Sequence, residues 1–332
     1  DSQALYLNGS AVISLHGLSY PTQPQLLKNG VQCDDLDICN ISSWDGSTLI
    51  ANVSSFSNYT TSEAPEVCVN LSDASTYQSK VVNTSDGYYI NDSLTLCQDT
   101  YTTNITMIRI NNSGITIDCN GATLQGDSSG SSDYGFYESN IDDYVLRNCI
   151  TRNFSYGFIL YGDNIVLDNI SAYDAGVYGL LLGGENTTLT NSRSQDSGTD
   201  GLRISSSVGG VLVNNTLINS SRYDFVTSEC PTLVFENNTG SGNRPINYTN
   251  SQVTWRDFES SLIILCGANG SVLDNVTVRG VGNNMLSLRY ADNVVIANST
   301  ISDCYNGIVP YASNNFTIIN NTIFNNSDVG ID

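Results

Sequence analysis

The sequence predicts an all-β protein whose larger part, residues 115–332, is a parallel β-helix with coils of about 22 residues. Two periodic columns carry this prediction. The first is a glycine followed by a large apolar residue, at Gly135, Gly157, Gly179, Gly201, Gly307 and Gly330. The second is an asparagine that recurs in steps of 21 to 23 residues, with one step of 38, at Asn148, Asn169, Asn191, Asn214, Asn237, Asn275, Asn298 and Asn320.

A third column is apolar and stands two positions before each of these asparagines, from Leu146 to Ile318. Coils of a parallel β-helix stack at about 4.8 Å, so residues one period apart lie above one another. The apolar column is therefore predicted to fill the core. Asparagine suits the turns, because it tolerates the left-handed conformation and its amides can bond in a ladder.

The 38-residue step predicts an insertion at about 240–258, expected to form a protruding hairpin. It contains Asn243-Arg-Pro-Ile-Asn-Tyr248 and Trp255, and the run Ser261-Leu-Ile-Ile-Leu265 follows it. Together with the N-x-T-I and G-I rungs, these motifs resemble the NosD-type right-handed β-helix repeat proteins of archaeal and bacterial exported proteins. The resemblance covers about two-thirds of the chain. It implies a right-handed, single-stranded helix and an archaeal exported or surface protein.

The first 114 residues lack this period. Apolar and polar residues alternate around Cys33 to Cys39 and Ser47 to Tyr59, which predicts paired antiparallel strands. Residues 1–62 are therefore expected to form a small β-sandwich-like region. This region is similar to modules on archaeal surface proteins. Residues 63–114 are predicted to connect to the first coil and cap it.

Charge and hydropathy exclude two classes of partner. The net charge is −21, with 12 basic against 33 acidic residues, which argues against nucleic acid because phosphate binding needs clustered Lys and Arg. The longest apolar run, Leu262 to Leu265, is far shorter than the roughly 20 residues that span a bilayer.

The motif Asn-x-Ser/Thr occurs 22 times. Many of these copies fall on the repeat columns and are interpreted as structural. Nine of the 11 asparagines before residue 114 are nevertheless in such motifs, without a repeat to explain them. Covalent N-glycans, and hence an extracellular or cell-surface location, are predicted. The predicted sites are Asn8, Asn40, Asn52, Asn58, Asn70, Asn83, Asn91, Asn104, Asn111, Asn186, Asn247, Asn269 and Asn315.

Nine cysteines agree with an oxidising compartment. Cys119 and Cys149 follow the turn column in successive coils, so they are expected to lie within disulfide range. The other candidate pairs are Cys230 with Cys266, Cys33 with Cys39, and Cys68 with Cys97, and Cys304 is left over. Buried reduced thiols are the alternative.

Candidate catalytic and metal-binding groups are few. Glu236 and Asp274 each precede a turn asparagine in what are expected to be adjacent coils, which would place two carboxylates about 5 Å apart, as in a retaining glycosidase. Arg256 is expected nearby, but a merely solvated acidic face explains the same pattern. Asp142, Asp163 and Glu185 stack in consecutive turns and are a weak Ca²⁺ candidate, with an exposed acidic turn as the alternative. No other cofactor is predicted, and His16 has no partner in view.

The outer column two residues after the repeat glycine is mostly apolar, which predicts a covered face. Its members are Tyr137, Ile159, Leu181, Arg203, Val226, Ile264, Ser287 and Val309. The chain ends in the first residues of a new coil, an open edge expected to recruit another copy head to tail. The resulting hypothesis is a non-enzymatic, glycosylated component of an extracellular filament or surface layer. The alternatives are a polysaccharide-processing β-helix enzyme (a glycosidase or lyase) and a surface-glycan binding module, the latter expected to group aromatic residues beside Trp255.

Overall fold

A computed structural model of the chain describes residues 10–20, 23–33, 39–54, 57–62, 68–72, 79–127, 133–206 and 209–332. It divides the chain into two compact units, Asp1–Val67 and Cys68–Asp332. Among the described residues, no helix has the length and apolar character needed to cross a membrane.

The first unit contains two small antiparallel sheets. Its strands are β1 (Ala11–Leu15), β2 (Gln25–Lys28), β3 (Val31–Gln32), β4 (Cys39–Trp44), β5 (Leu49–Val53) and β6 (Tyr59–Ser62). One sheet has the order β1-β5-β4 and the other β3-β2-β6. Leu26 of the second sheet shares a buried core with Leu49 and Val53 of the first.

The second unit consists of short strands separated by tight turns. The strands up to the predicted insertion are β7 (Val81–Thr84), β8 (Gly87–Ile90), β9 (Leu94–Thr95), β10 (Thr100–Thr102), β11 (Ile108–Ile110), β12 (Thr116–Asp118), β13 (Thr123–Gln125), β14 (Tyr134–Tyr137), β15 (Val145–Arg147), β16 (Ile150–Arg152), β17 (Tyr156–Leu160), β18 (Val166–Asp168), β19 (Ser171–Tyr173), β20 (Tyr178–Gly183), β21 (Thr188–Thr190), β22 (Arg193–Gln195), β23 (Asp200–Ser206), β24 (Gly210–Val213), β25 (Thr216–Ile218), β26 (Tyr223–Thr227), β27 (Leu233–Glu236) and β28 (Thr239–Gly240). After a 3₁₀ turn at Ser241–Asn243 come β29 (Arg244–Thr249), β30 (Thr254–Arg256), β31 (Glu259–Ser260), β32 (Leu262–Cys266), β33 (Val272–Asp274), β34 (Thr277–Arg279), β35 (Leu286–Arg289), β36 (Val295–Ala297), β37 (Thr300–Ser302), β38 (Ile308–Tyr311), β39 (Thr317–Ile319) and β40 (Thr322–Phe324).

These strands form three parallel sheets that run along a solenoid, as predicted. In the first sheet β8, β11, β14, β17, β20, β23 and β26 are successive neighbours; the second runs from β9 to β27 and the third from β10 to β28. The register pairs Phe136 with Phe158, Phe158 with Leu180, and Leu180 with Leu202, which are one 22-residue period apart. The predicted all-β class and coil length are therefore confirmed.

The asparagine column forms the predicted turns. All eight of its members have positive φ between 50° and 60°, the left-handed region that asparagine tolerates. The side-chain amide of Asn169 donates to the Oδ1 of Asn148 at 2.8 Å, so neighbouring turns are joined by hydrogen bonds. The column five residues later, which includes Asn153 and Asp174, has the same backbone conformation.

The repeat glycines are required by close packing between coils. A Cβ on Gly157 would lie 2.5 Å from the carbonyl oxygen of Gly179, and one on Gly179 would lie 1.9 Å from Ser194 Oγ. Real Cβ atoms do not approach other atoms so closely. At these positions Gly therefore recurs because a Cβ would collide with atoms of the coil interior or of the next coil.

The predicted insertion is incorporated into the solenoid, which corrects the expectation of a protruding hairpin. β29 runs antiparallel to β28, then pairs parallel with β32, while β30 pairs with β33 and β31 with β34. The segment therefore forms the first coil of a second stack, β29–β40, that continues from the first stack, β8–β28. Among the described residues, the first sheet ends at β26 and the second ends at β27. Two of the three sheets are therefore interrupted at this junction.

The two stacks pack against each other within the chain. Ile263 and Leu265 of β32 belong to the core of the second stack, whereas Leu262, Ile264 and Cys266 belong to the core cluster of the first. All five are fully buried, because β32 lies between two cores. For Ile264, the predicted cover of the outer apolar column is thus the first stack of the same chain.

Candidate functional site

A ladder of tyrosines lies on the outer face of the first sheet, in the column just before the repeat glycine. Tyr134, Tyr156 and Tyr178 pair in register on β14, β17 and β20. Their ring centroids are 5.3 and 5.7 Å apart, and all three side chains are half-buried. Continuing the column, Tyr178 pairs with Asp200, and Asp200 with Tyr223.

The ladder leads into a group of charged residues. The carboxylate of Asp200 is fully buried and accepts hydrogen bonds from Arg203 at 2.9 and 2.6 Å. Arg222 Nε lies 3.5 Å from its other oxygen. The guanidinium of Arg203 stacks 5.0 Å from the ring of Tyr178, and that of Arg222 lies 4.7 Å from the ring of Tyr223. One buried acid thus fixes two cations against two aromatic rings.

A third arginine comes from the second stack. Arg289 on β35 lies over the ring of Tyr311 at 5.5 Å and donates to the carbonyl of Ser228 at 3.4 Å. Burial lowers its pKa, the nearby Tyr223 opposes this, and the charge of Arg203 lowers it further. Arg289 therefore lies near Tyr223 and Arg203, at the junction between the two stacks. We call Tyr178, Asp200, Arg203, Arg222, Tyr223 and Arg289 the arginine–tyrosine site.

Tyr223 is the buried phenol of this site. Its hydroxyl lies 3.1 Å from the side-chain amide of Asn306, and with the amide oxygen as acceptor the amide nitrogen also reaches Asp328. Burial raises the pKa of Tyr223, Arg222 opposes the rise, and Asp200 adds to it. The phenol is therefore protonated at neutral pH and can act as a hydrogen-bond or proton donor.

The arrangement suits an anionic sugar polymer. The guanidiniums of Arg203 and Arg222 share one carboxylate, that of Asp200, and Arg recognises carboxylates with fixed, planar geometry. The side chains of Arg203 and Arg222 are 23% and 37% exposed, so a ligand can reach them. The stacked tyrosines offer half-buried rings along the same sheet, on which the apolar faces of sugar rings can pack.

The structure does not bring together the carboxylates proposed from the sequence as a catalytic pair. Glu236 pairs with Val213 on β24, whereas Asp274 pairs with Arg256 and lies 3.7 Å from its Nε. Asp274 also accepts from Asn298 at 2.8 Å. The prediction that Glu236 and Asp274 lie in adjacent coils was wrong. The strand next to that of Asp274 is β30, which contains Arg256 and not Glu236.

The acidic turn proposed for Ca²⁺ has another set of contacts. Asp142 Oδ1 accepts from the backbone N–H of Asp163 at 2.8 Å, and Asp163 Oδ1 accepts from that of Glu185 at 2.6 Å. Each aspartate thus caps the next turn. The described residues include no group of three or more His, Cys, Asp or Glu side chains placed to hold a metal ion.

Four disulfides join Cys33 to Cys39, Cys68 to Cys97, Cys119 to Cys149, and Cys230 to Cys266, the pairs suggested by sequence position. Four disulfides in one chain are typical of a secreted or extracellular protein. Cys304 is free and fully buried, and burial raises the pKa of its thiol to about 11. His16 is exposed and lies 3.2 Å from Thr48 Oγ1, far along the sequence from the arginines.

The predicted glycosylation sites remain predictions. Asn8 lies outside the described residues, and none of the other twelve is buried. Nine are exposed, whereas Asn70, Asn91 and Asn247 are half-buried. Head-to-tail self-association also remains a prediction.

Sequence reasoning missed most of the arginine–tyrosine site. The tyrosine column and the polar exception Arg203 are visible at the 22-residue spacing. Arg222 and Arg289 follow no column, since the first lies in a turn and the second reaches the site only through the junction.

A family model described as a right-handed beta helix region matches residues 128–253 and 246–332. No match was found among curated proteins. Among solved structures, the chain is similar to the A-module of the Azotobacter vinelandii mannuronan C-5 epimerase AlgE4, with 14% identity, a TM-score of 0.37, and coverage of 74% of this chain and 83% of that one. A point mutant of the periplasmic alginate epimerase AlgG matches with 10% identity, a TM-score of 0.36, and coverage of 82% and 85%. The catalytic domain of a point mutant of a GH87 alpha-1,3-glucanase, in complex with nigerose, matches with 13% identity, a TM-score of 0.39, and coverage of 98% and 87%.

These matches correct the predicted function. The matched proteins are polysaccharide-processing enzymes, which contradicts the prediction of a non-enzymatic structural component. At such identities the likeness is one of fold.

Proposed function

Because the chain belongs to the right-handed β-helix family, we propose that it is a polysaccharide-processing enzyme whose substrate is an acidic polysaccharide bound at the arginine–tyrosine site. One observation carries the proposal. In a chain of net charge −21 with 12 basic residues, Arg203 and Arg222 share one buried carboxylate at the end of a ladder of tyrosines, and Arg289 of the second stack lies against the end of the same sheet.

The roles of the residues follow from their contacts. Arg203 and Arg222, oriented by Asp200, pair with the carboxylate of a uronate residue, and Arg289 adds charge from the opposite stack. Pairing with guanidinium groups stabilises the negative charge of that carboxylate when the polymer is bound. Tyr223, whose ring lies 4.7 Å from the guanidinium of Arg222, holds that guanidinium in place.

The test compares acidic and neutral polysaccharides. Alginate and polygalacturonate are expected to bind and to be processed, and their carboxyl-reduced forms are not. Arg203→Gln and Arg222→Gln are expected to weaken binding at least about tenfold, with less effect of salt on the remaining affinity. Arg147→Gln is the matched control, since Arg147 is half-exposed and pairs with Asp118 on another sheet. Unsaturated products are followed by ultraviolet absorbance, and C-5 configuration by NMR.

Equal processing of the carboxyl-reduced polymer would remove the proposed role of the arginines. An equal loss of affinity in Arg147→Gln would show that removing any surface arginine weakens binding, which would also contradict the proposal.

We also propose a finer identity and location. The R-P-I-x-Y and S-L-I-I-L motifs support a NosD-type, archaeal member of the family. The exposed Asn-x-Ser/Thr motifs support N-glycans and a place at the cell surface. Intact mass measurement of protein from its native source tests the glycans directly.

A further inference from the structure

A cleft of about 540 Å³ lies where the two stacks separate. Its lining includes Phe235 of β27, Tyr248 of β29 and Trp255 of β30, together with the side chains of Asn237, Asn243 and Asn247. The volume is within the range of about 300–1,000 Å³ typical of ligand pockets.

The cleft is a gap in the solenoid core. Phe235 pairs with Leu212 in the inward apolar column and is its last member in the first stack. Trp255 pairs with Leu273 and is the first member of the same column in the second stack. Because β27 and β30 are not neighbours in any described sheet, each ring lacks the next rung that would cover it.

Side-chain amides line the mouth of the cleft, and one of them occupies a position that holds an apolar side chain in the next coil. Asn247 pairs with Ile263, so it occupies an inward column that is apolar in the next coil. Its Oδ1 accepts from Ser260 Oγ at 2.8 Å. Asn237 and Asn243 are exposed, and their amides make no hydrogen bond within the described part of the chain. Donors and acceptors are thus available at the mouth of an aromatic cleft.

The aromatic walls are held in place by their neighbours. Phe235 packs 5.1 Å from Phe225 and 5.7 Å from Tyr248 between ring centroids, and the Tyr248 hydroxyl donates to the carbonyl of Pro231. Trp255 meets Phe258 edge-to-face at 5.8 Å. Fixed rings reduce the conformational entropy that binding would cost.

We propose that this cleft binds a neutral oligosaccharide. The lining contains no charged side chain, which disfavours an ionic ligand, and amides beside aromatic faces complement hydroxyl groups and the apolar faces of sugar rings. The site is separate from the arginine–tyrosine site, and the proposal does not depend on the reaction there.

The test uses Trp255 as its own reporter. The chain has two tryptophans, Trp44 and Trp255, so a Trp44→Phe background leaves Trp255 as the single fluorophore. Its emission is expected to change saturably on titration with neutral gluco- or manno-oligosaccharides, and not with oligogalacturonate. No saturable change up to about 10 mM of any neutral oligosaccharide would overturn the proposal.

Two conservative variants remove the aromatic walls and are expected to keep the fold. Trp255→Leu and Phe235→Leu restore the leucine found at Leu273 and Leu212 in the adjacent rungs. By calorimetry each is expected to raise the Kd at least about tenfold. Thr249→Val is the control, because it leaves the lining unchanged and is expected to bind like the parent protein. Unchanged affinity in both leucine variants would overturn the proposal.

The Thr249→Val variant also prevents N-glycosylation of Asn247, because it removes the Asn-x-Thr motif. Asn247 is the first residue of an Asn-Tyr-Thr motif, so a glycan attached there could fill the cleft. Asn247 is also one of the glycosylation sites predicted from the sequence, but it is half-buried and its Oδ1 accepts from Ser260, so peptide mass spectrometry of the native protein is expected to find it unmodified. A stoichiometric glycan at Asn247 would assign the cleft to that glycan and overturn the proposed binding of a free oligosaccharide.

Discussion

The buried carboxylate of Asp200 accepts two hydrogen bonds from the guanidinium of Arg203, at 2.9 and 2.6 Å. The two residues are three positions apart on β23. Asp200 replaces tyrosine in its column, and Arg203 replaces an apolar residue in the neighbouring one. A single coil therefore changes an aromatic and apolar surface into a charged one.

Replacing Asp200 with Asn is expected to lower both stability and affinity for acidic polysaccharide. The substitution leaves Arg203 and Arg222 beside a neutral amide, and breaking a buried ion pair costs about 3 kcal/mol. Urea denaturation measures the free energy of unfolding, and a binding titration measures the affinity. Asp174→Asn is the control, because Asp174 is half-exposed and its pair with Arg152 at 4.0 Å should contribute less than about 1 kcal/mol. Similar losses in both variants would contradict a special role for Asp200.

Much of the fold could be predicted from the sequence because stacking repeats it. Most coils place the same residue type at the same position, so the glycine, asparagine and apolar columns are each seen several times. The junction occurs once. Nothing in the spacing shows that β29 reverses direction against β28, and the expected pairing of Glu236 with Asp274 failed for this reason.

The candidate site was less accessible to sequence reasoning. Arg203 stands out within its column, but Arg289 lies in a different stack, 86 positions later in the chain. Their electrostatic coupling depends on how the second stack packs over the end of the first. Such a tertiary arrangement leaves no periodic signal.

Asp224 provides a prediction of pH dependence. Its carboxylate is fully buried at the junction and accepts from the backbone of Ser241 at 2.7 Å and from the amides of Asn283 and Asn284 at 2.8 and 2.7 Å. Burial raises its pKa above the ordinary value of 3.8, although these hydrogen bonds oppose the rise. The folded state therefore holds this proton to higher pH than the unfolded state. The corresponding stability is present below pH 3.8 and is lost as the pH rises through the raised value.

Asp224→Asn removes this titration. It also replaces one carboxylate oxygen with an NH₂ group, which would face the donors that now bind that oxygen. The variant is expected to be less stable by about 2 kcal/mol. The difference in unfolding free energy between the parent protein and the variant should be largest at acidic pH and should shrink as the pH rises. Urea denaturation of both proteins from pH 3.5 to about pH 7 measures it, a range chosen to span the linkage window. A difference that grows with pH would mean that the pKa of Asp224 is lowered in the folded protein.

Glycan occupancy is expected to be higher at asparagines whose side-chain amide makes no hydrogen bond than at those whose amide belongs to the turn ladder. Asn58 and Asn104 are exposed, and their side-chain amides make no hydrogen bond among the described residues, so both should carry glycans. Asn275 has the same motif and is also exposed, but its amide donates to Asp257 Oδ1 at 2.7 Å as part of the turn ladder. Site-resolved mass spectrometry of the native protein measures the occupancy. Full occupancy at Asn275 with none at Asn58 and Asn104 would contradict the prediction.

The repeat glycine makes a matched pair of substitutions possible within one coil. Gly179→Ala places a Cβ 1.9 Å from Ser194 Oγ and 2.8 Å from the carbonyl oxygen of Gly201, so the coils must shift. Such overpacking is expected to lower the free energy of unfolding by about 1–3 kcal/mol. Gly176→Ala is the control, because its Cβ would meet no atom closer than 3.5 Å and its φ lies outside the left-handed region. Its stability should lie within about 0.5 kcal/mol of the parent protein. Urea denaturation compares the two variants, and equal stability would mean that this column tolerates a side chain and that glycine is not required by the stacking.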